Sequence, residues 1–506
     1  GNYGTNGPFN LGVTVSLPIL LYWIHWRWRH RRMLELAALV PGPPALPILG
    51  NALIESFTHR YIEQLFKIAE LLNKYGQYVK FWLGSDLNIC VKNPADIKYL
   101  LTSNKVNQKG PLYEFMTTFI GRGILTGGPT WRLYRKIATP SYNKKSVKIF
   151  GEVFNREAKC LSNVLCNKNP EIKFDVYYDV VNCTTQCICQ TLMGLSKEET
   201  ENIKNLNEVV TKTQSMYSLI FSKMTRWWLQ IPFIYWVMGY KAKEKYFVKI
   251  VDKMTSDILQ KRRNASQRET EIDDTLGVVD RFILNGLPDE EIKLETFSLF
   301  TTSQEASAKI ASAVLVFLAH LPEWQEKVHK EILEVVGPHD EHITEEQLKK
   351  LNNLDMVYKE VLRYMSIGAM IQRTVEEEVT INDGKITLPA GTSLVIPIHE
   401  LHRDAQYWEE PYKIKPERFL PENIKTRDPN AFIPFSLGPM DCLGRIYATT
   451  LIKTLIVKVI RRVQLEADGR LEDLELHIAI SVKFAAGYNL RARKRRTLNG
   501  FTLQHG

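Results

Sequence analysis

The sequence predicts a mainly α-helical fold with small β-sheets, built as a single large domain behind an N-terminal membrane anchor. Three observations carry this expectation. Apolar residues recur at helical spacing over long stretches, strand-like runs are few and short, and one apolar segment near the start runs directly into a basic cluster. With 506 residues, 44% of them hydrophobic, the chain can bury a large core, and no repeat or linker divides it.

The anchor is expected at Leu11 to Trp26, which is nearly uncharged and is followed by RWRHRR, Arg27 to Arg32, a stop-transfer pattern on the cytosolic side. A bilayer span asks for about 20 apolar residues. This segment is shorter and is weakened by Pro18 and His25, so tilt, local thinning or a start upstream of Gly1 is expected. Residues 1–32 are therefore read as anchor and basic cluster, 33–51 as a proline-rich linker, and 52–506 as the globular body. Within the linker, VPGPPALPILGN (Val40 to Asn51) stiffens the backbone and removes hydrogen-bond donors.

In the body, strands are expected at Tyr78 to Gly84 and Asn88 to Lys92, in the stretch VTINDGKITLPAGTSLVIPI, and at LHIAISVKF near the C-terminus. Asn382-Asp383-Gly384 supplies a turn. Ile310, Val314, Phe317 and Leu321 predict one long helix over 296–321, and Leu354, Val357, Val361 and Met365 predict a second. The net charge of +10 favours anionic surfaces without naming one.

Seven scattered cysteines do not resemble a disulfide framework, and Cys183, Cys187 and Cys189 lack the second pair that zinc requires. Cys442 is different. In FSLGPMDCLGR, Phe435 to Arg445, it lies between Gly438 and Gly444 just before an apolar helical run. Glycines let the backbone approach a flat macrocycle, and a helix start with free amides favours a thiolate.

This stretch resembles the signature of the cytochrome P450 family, Phe-x-x-Gly-x-Arg-x-Cys-x-Gly, at Phe435, Gly438, Cys442 and Gly444; Met440 replaces its arginine. The resemblance extends from Pro41 to about Arg496. It implies the cytochrome P450 fold, with residues 52–506 as a haem-thiolate catalytic domain. The cofactor would be haem b (iron protoporphyrin IX), with Cys442 as the metal ligand. Glu360 and Arg363, one helical turn apart, would form an ion network with Arg418 of KPERF. Trp131 and Arg135, at i and i+4, would hold a propionate, with Arg373 as a further donor.

In TTSQEASA, Thr301 to Ala308, the resemblance assigns Glu305 as the acid and Ser307 as an alcohol of an oxygen-activating proton relay. Ala306 stands where the first threonine belongs, which implies release of peroxide in place of insertion unless water or Ser307 substitutes. Lys309 at i+4 offers the alternative of a plain salt bridge. Among family members, fatty-acid ω-hydroxylases and insect enzymes resemble this chain most. Some of these bind haem covalently through a glutamate, but Thr302 occupies that place, so no such ester is expected.

Arg226 to Tyr240, RWWLQIPFIYWVMGY, is read as a lid that closes over the substrate and dips into a membrane, with core packing as the alternative. Tyr113, Phe115, Phe119 and Leu125 are pocket-wall candidates by resemblance. Arg132, Lys136, Arg445, Lys453 and Lys458 would attract an acidic redox partner. The basic run Arg491 to Arg496 reads as a solvated tail rather than a nucleic-acid site.

The resemblance thus implies a monooxygenase of the endoplasmic reticulum membrane, its catalytic domain on the cytosolic side. It would insert one oxygen atom from O2 into a lipophilic substrate, a fatty acid, terpenoid or xenobiotic. NADPH would act indirectly through NADPH-cytochrome P450 reductase, with cytochrome b5 as a further donor and no nucleic acid as partner. The alternatives are a haem-thiolate isomerase or dehydratase, and a degenerate haem-binding relative.

Overall fold

The computed structural model describes residues 7–46, 50–51, 62–266, 274–339 and 342–495. The basic run expected as a solvated tail instead lies mostly on strand Asn489–Lys494, paired antiparallel with Val463–Glu466; its last residue, Arg496, and Pro47 of the linker lie outside the described residues. Contacts divide the chain into two compact units, Gly1–Pro111 with Met370–Pro397, and Leu112–Ala369 with Ile398–Gly506.

The first unit begins with helix Gly7–Arg29, which contains the expected anchor and carries Pro18 inside it, and continues into helix Arg31–Ala38. Leu20, Leu21, Tyr22, Ile24 and Trp28 are exposed on the first of these. Among the described residues no single helix is long and apolar enough to cross a membrane. The proline-rich segment is tied down where it is described: Asn51 donates to the Pro44 carbonyl at 3.0 Å and accepts the Trp82 amide at 2.8 Å.

The expected strands form as Tyr78–Leu83 and Asp86–Val91, an antiparallel hairpin that opens a five-stranded sheet. Ser393–Ile396 pairs in parallel with Asp86–Val91, and Ile371–Thr374 and Gln108–Lys109 follow antiparallel. A separate hairpin, Val379–Ile381 with Ile386–Leu388, turns at Asp383 and Gly384, whose φ of 52° and 85° suit a primed turn closed by the Lys385 amide on the Asn382 carbonyl at 3.1 Å.

The second unit is organised by one helix of 32 residues, Asp289–His320, buried almost all round from Ile292 to Ala319. It starts seven residues before the predicted boundary. Asp289, Glu290 and Glu291 favour the positive end of the helix dipole there but interrupt the apolar pattern that marked the rest. It stops at Leu321, which Pro322 disfavours from helical geometry. Helices Tyr177–Gln190, Tyr240–Ser266, Asn352–Tyr364 and Arg445–Arg462 pack against it, and Lys144–Cys166 packs on Arg445–Arg462. Cys183, Cys187 and Cys189 are buried on one of these helices. LHIAISVKF is a tight hairpin, Leu476–Ile478 with Val482–Phe484.

Candidate active site

Cys442 sits at the end of a loop closed by its own backbone. The Cys442 amide donates to the Phe435 carbonyl at 2.9 Å, and the Asp441 amide donates to the Gly438 carbonyl at 3.1 Å. Gly438 has φ +77°, a left-handed conformation that a side chain would strain. Gly444 caps helix Arg445–Arg462 and directs its amide at the Cys442 sulfur. The thiol is exposed, yet burial in the surrounding protein is the largest influence on its acidity. Burial raises its pKa; the Gly444 amide, Arg135 and Arg445 oppose that rise, while Asp441 adds to it.

Arg135 reaches this loop in a way the sequence did not show. It donates to the Asp441 carbonyl at 2.7 Å and pairs with the Asp441 carboxylate at 2.5 Å, fixing the residue before the cysteine. Trp131 lies one turn before it, half-buried on the same helix, Trp131–Ala138. Met440 is buried. Arg373 belongs to the first unit, where it is 2% exposed on strand Ile371–Thr374.

The ion network forms as expected. Arg363 meets Glu360 with two bonds of 2.8 Å, both side chains wholly buried, and Arg418 Nε lies 3.5 Å from Glu360 Oε1. His402, which sequence reasoning missed, extends the network toward the cysteine loop. Its carbonyl accepts from Arg363 at 3.0 Å, and its Nε2 accepts the Ile433 amide at 3.0 Å. Burial, with Arg363 and Arg403 nearby, drives its pKa well down and keeps it the neutral acceptor that this bond requires.

Along the long helix the central half-exposed positions are Thr302, Ser303 and Ala306, a single stripe at i, i+1 and i+4. Tyr142, whose ring would lie 3.9 Å from a Cβ at Gly444, places its buried hydroxyl near Ser303 without a hydrogen bond to it. Glu305 and Ser307 are 3% and 1% exposed and flank the stripe without belonging to it. Glu305 pairs with Lys309, the alternative raised by its i+4 spacing. Phe119 is buried, and Tyr113, Phe115 and Leu125 are half-buried.

The basic surface needs correction. Arg132, Lys136 and Arg445 are exposed, but Lys453 and Lys458 are 7% and 3% exposed, and Lys453 is paired with Asp355 at 2.6 Å. Helix Arg445–Arg462 is surrounded by other helices, so its later lysines turn inward and cannot attract a partner.

Glu295, earlier on the long helix, was not anticipated. It accepts the Ile124 amide at 3.3 Å, and Gly123 permits the approach, since a Cβ there would lie 1.6 Å from Glu295 Oε1. Burial pushes this carboxyl up to about 8 from 4.5, and Glu291 one turn back adds to the rise against the pull of the Ile124 amide. The folded state therefore favours the neutral acid. Stability from this site is full below about 4.5 and is lost as pH rises through about 8. Glu295→Gln keeps an acceptor for Ile124 and cannot ionise. At alkaline pH it is expected to stabilise the fold by on the order of 2 kcal/mol, with less change in acid; melting curves across that range check this.

Comparison with known proteins decides the family. The pattern described as Cytochrome P450 matches residues 40–481. The chain belongs to the cytochrome P450 family. It is 29% identical to cytochrome P450 4V2 of Rattus norvegicus over 487 residues, covering 92% of this chain and 91% of the relative. For cytochrome P450 4V2 of Homo sapiens the identity is 27% over 489 residues, covering 93% and 91%. For cytochrome P450 4c3 of Drosophila melanogaster it is 29% over 495 residues, covering 92% and 91%. Membership in the cytochrome P450 family makes the chain a haem-thiolate monooxygenase, an oxidoreductase.

The residues present fit a thiolate-ligated haem. The thiol is exposed at the end of a closed backbone loop, and the Gly444 amide is aimed at its sulfur. Burial alone favours the protonated thiol, so a thiolate here would need the charge of a bound iron to hold it.

Proposed function

We propose that Cys442 ligates the iron of a membrane-associated monooxygenase that acts on a lipophilic substrate and draws electrons from NADPH through a flavoprotein reductase. The observation that carries this reading is the exposed Cys442 thiol on its closed loop, with the Gly444 amide on the sulfur. When bound, the haem supplies oxygen activation and transfer of one oxygen atom.

The chain's own residues take the remaining tasks. Trp131 and Arg135 present donors beside the cysteine loop for a haem propionate, and Arg373 is proposed as a further donor. Ser303 offers a hydroxyl on the half-exposed stripe where Ala306 has none. The Thr302 hydroxyl donates to the Ser298 carbonyl at 2.7 Å and is committed to its own helix. Ser307 remains a candidate relay alcohol by its place in the family pattern. Exposed Arg132, Lys136 and Arg445 would meet an acidic reductase or cytochrome b5.

Residues 1–32 are proposed as the anchor in the endoplasmic reticulum membrane, with residues 33–51 as linker. The stretch Trp227 to Met238 supports a second membrane contact, because Phe233 and Trp236 are 70% and 65% exposed, with Trp227, Ile231, Val237 and Met238 also exposed. Water does not favour so large an apolar face. Replacing Trp227, Phe233 and Trp236 together by serine is expected to lower affinity for phosphatidylcholine vesicles by at least ~100-fold in a flotation assay, with the melting temperature unchanged.

The reading as a whole is tested by reconstitution with reductase and NADPH while screening fatty acids, terpenoids and xenobiotics. Substrate-dependent NADPH consumption with oxygenated product is the expected result. NADPH consumption that yields only peroxide shows that Ser303 does not replace the hydroxyl missing at Ala306. No spectral response to any apolar ligand overturns the lipophilic-substrate reading.

A further inference from the structure

Glu305 Oε1 gathers three donors. Gln214 Nε2 and Ser481 Oγ each reach it at 2.9 Å, and Lys309 pairs with the same oxygen. Lys309, 1% exposed, also donates to Ser481 Oγ at 2.5 Å. Gln214 comes from helix Leu206–Thr225, and Ser481 from the turn of the C-terminal hairpin. One turn away, Tyr217 and Thr301 hydroxyls lie 3.1 Å apart, a second tie between the same two helices. A carboxylate so engaged acts as an acceptor only. It also lies beside the open stripe of Thr302, Ser303 and Ala306 and not on it.

We propose that Glu305 is a positioning residue whose ion pair with Lys309 clamps helix Leu206–Thr225 and the C-terminal hairpin onto the long helix, and so sets which substrates fit beneath them. The specificity half of this claim rests on the lipophilic-substrate reading; the clamp itself does not. Its geometry gives the buried charged pair a structural task. Removing either charge strands the other, whereas removing both leaves the neutral hydrogen bonds of Gln214 and Ser481 in place.

The experiment compares E305Q, K309M and E305Q/K309M in the full-length haem protein. E305Q strands the Lys309 ammonium and is expected to lower the melting temperature by about 5 °C. Amide exchange in Leu206–Thr225 and in the hairpin should quicken by about tenfold. A series of short- to long-chain n-alkylimidazoles reads the pocket through the Soret shift, and E305Q should move the preferred chain length. The double variant should restore the melting temperature, the exchange rates and the chain-length preference. An unmoved chain-length preference in E305Q, or a double variant that exchanges as fast as E305Q, overturns the proposal. A double variant that recovers stability but stays as low in turnover as E305Q overturns it in favour of proton donation by Glu305. If the haem-thiolate reading fails instead, the unmodified protein shows no Soret shift with any alkylimidazole, while melting and exchange still report on the clamp.

Discussion

Cys442→Ala is expected to abolish the strongly red-shifted Soret band of the reduced carbon-monoxide complex and to weaken haem retention by on the order of 100-fold or more, while leaving the apoprotein fold intact. The two halves of this outcome follow from how the residue is held. The loop is closed by the Cys442 amide on the Phe435 carbonyl and by Arg135 on Asp441, and none of these bonds uses the sulfur. What the thiol accepts is the Gly444 amide, which belongs to a helix start that water can satisfy. Far-ultraviolet circular dichroism and the apoprotein melting temperature should therefore match the parent. Cys442→Ser, which offers an oxygen at nearly the same point, should also lack the band because the shift requires sulfur. A Cys442→Ala protein that keeps both the band and the parent haem affinity would falsify the assignment of the ligand.

What the sequence made legible were features with short-range causes. Strands Tyr78–Leu83 and Asp86–Val91, the turn at Asp383 and Gly384, and the Glu360–Arg363 pair each follow from residues within a few positions of one another. Long-range partnerships were not legible. The contact of Arg135 with Asp441 spans 306 positions, and nothing local announces it. His402 escaped notice because its value lies in a neutral Nε2 acceptor meeting the Ile433 amide, and a histidine in sequence does not reveal its tautomer. Lys453 and Lys458 misled because charge is ordinarily a solvated property. Their burial depends on the helices that surround Arg445–Arg462, which no residue of that helix encodes alone. Glu305 was visible together with its Lys309 alternative. Gln214 and Ser481, which also meet Glu305, come from two other segments and were not visible.

Glu360→Ala is expected to destabilise the fold by about 3–5 kcal/mol and to lose haem as a consequence of that loss. Arg363 is wholly buried and directs Nε and Nη2 at Glu360, while Nη1 bonds the His402 and Pro411 carbonyls at 3.0 and 2.8 Å. Without the carboxylate, a buried guanidinium keeps its carbonyl partners but has no counter-charge within the cluster except what remains of its dipoles. The Lys415 amide, which donates to Glu360 Oε1 at 2.8 Å, also loses its acceptor. Arg363→Lys should fare little better, because one ammonium cannot reproduce a planar fork that serves a carboxylate and several carbonyls at once. Glu360→Gln restores the acceptor without the charge and should fall between Glu360→Ala and the parent. The damage should reach the cysteine loop, since Arg363 holds the His402 carbonyl and His402 Nε2 holds the Ile433 amide. Melting temperature and haem retention should consequently fall together across these variants, in contrast to Cys442→Ala, where only haem retention falls. A Glu360→Ala protein with the parent melting temperature would mean that the network is not what holds this region, and the path from Glu360 to the cysteine loop would have to be abandoned.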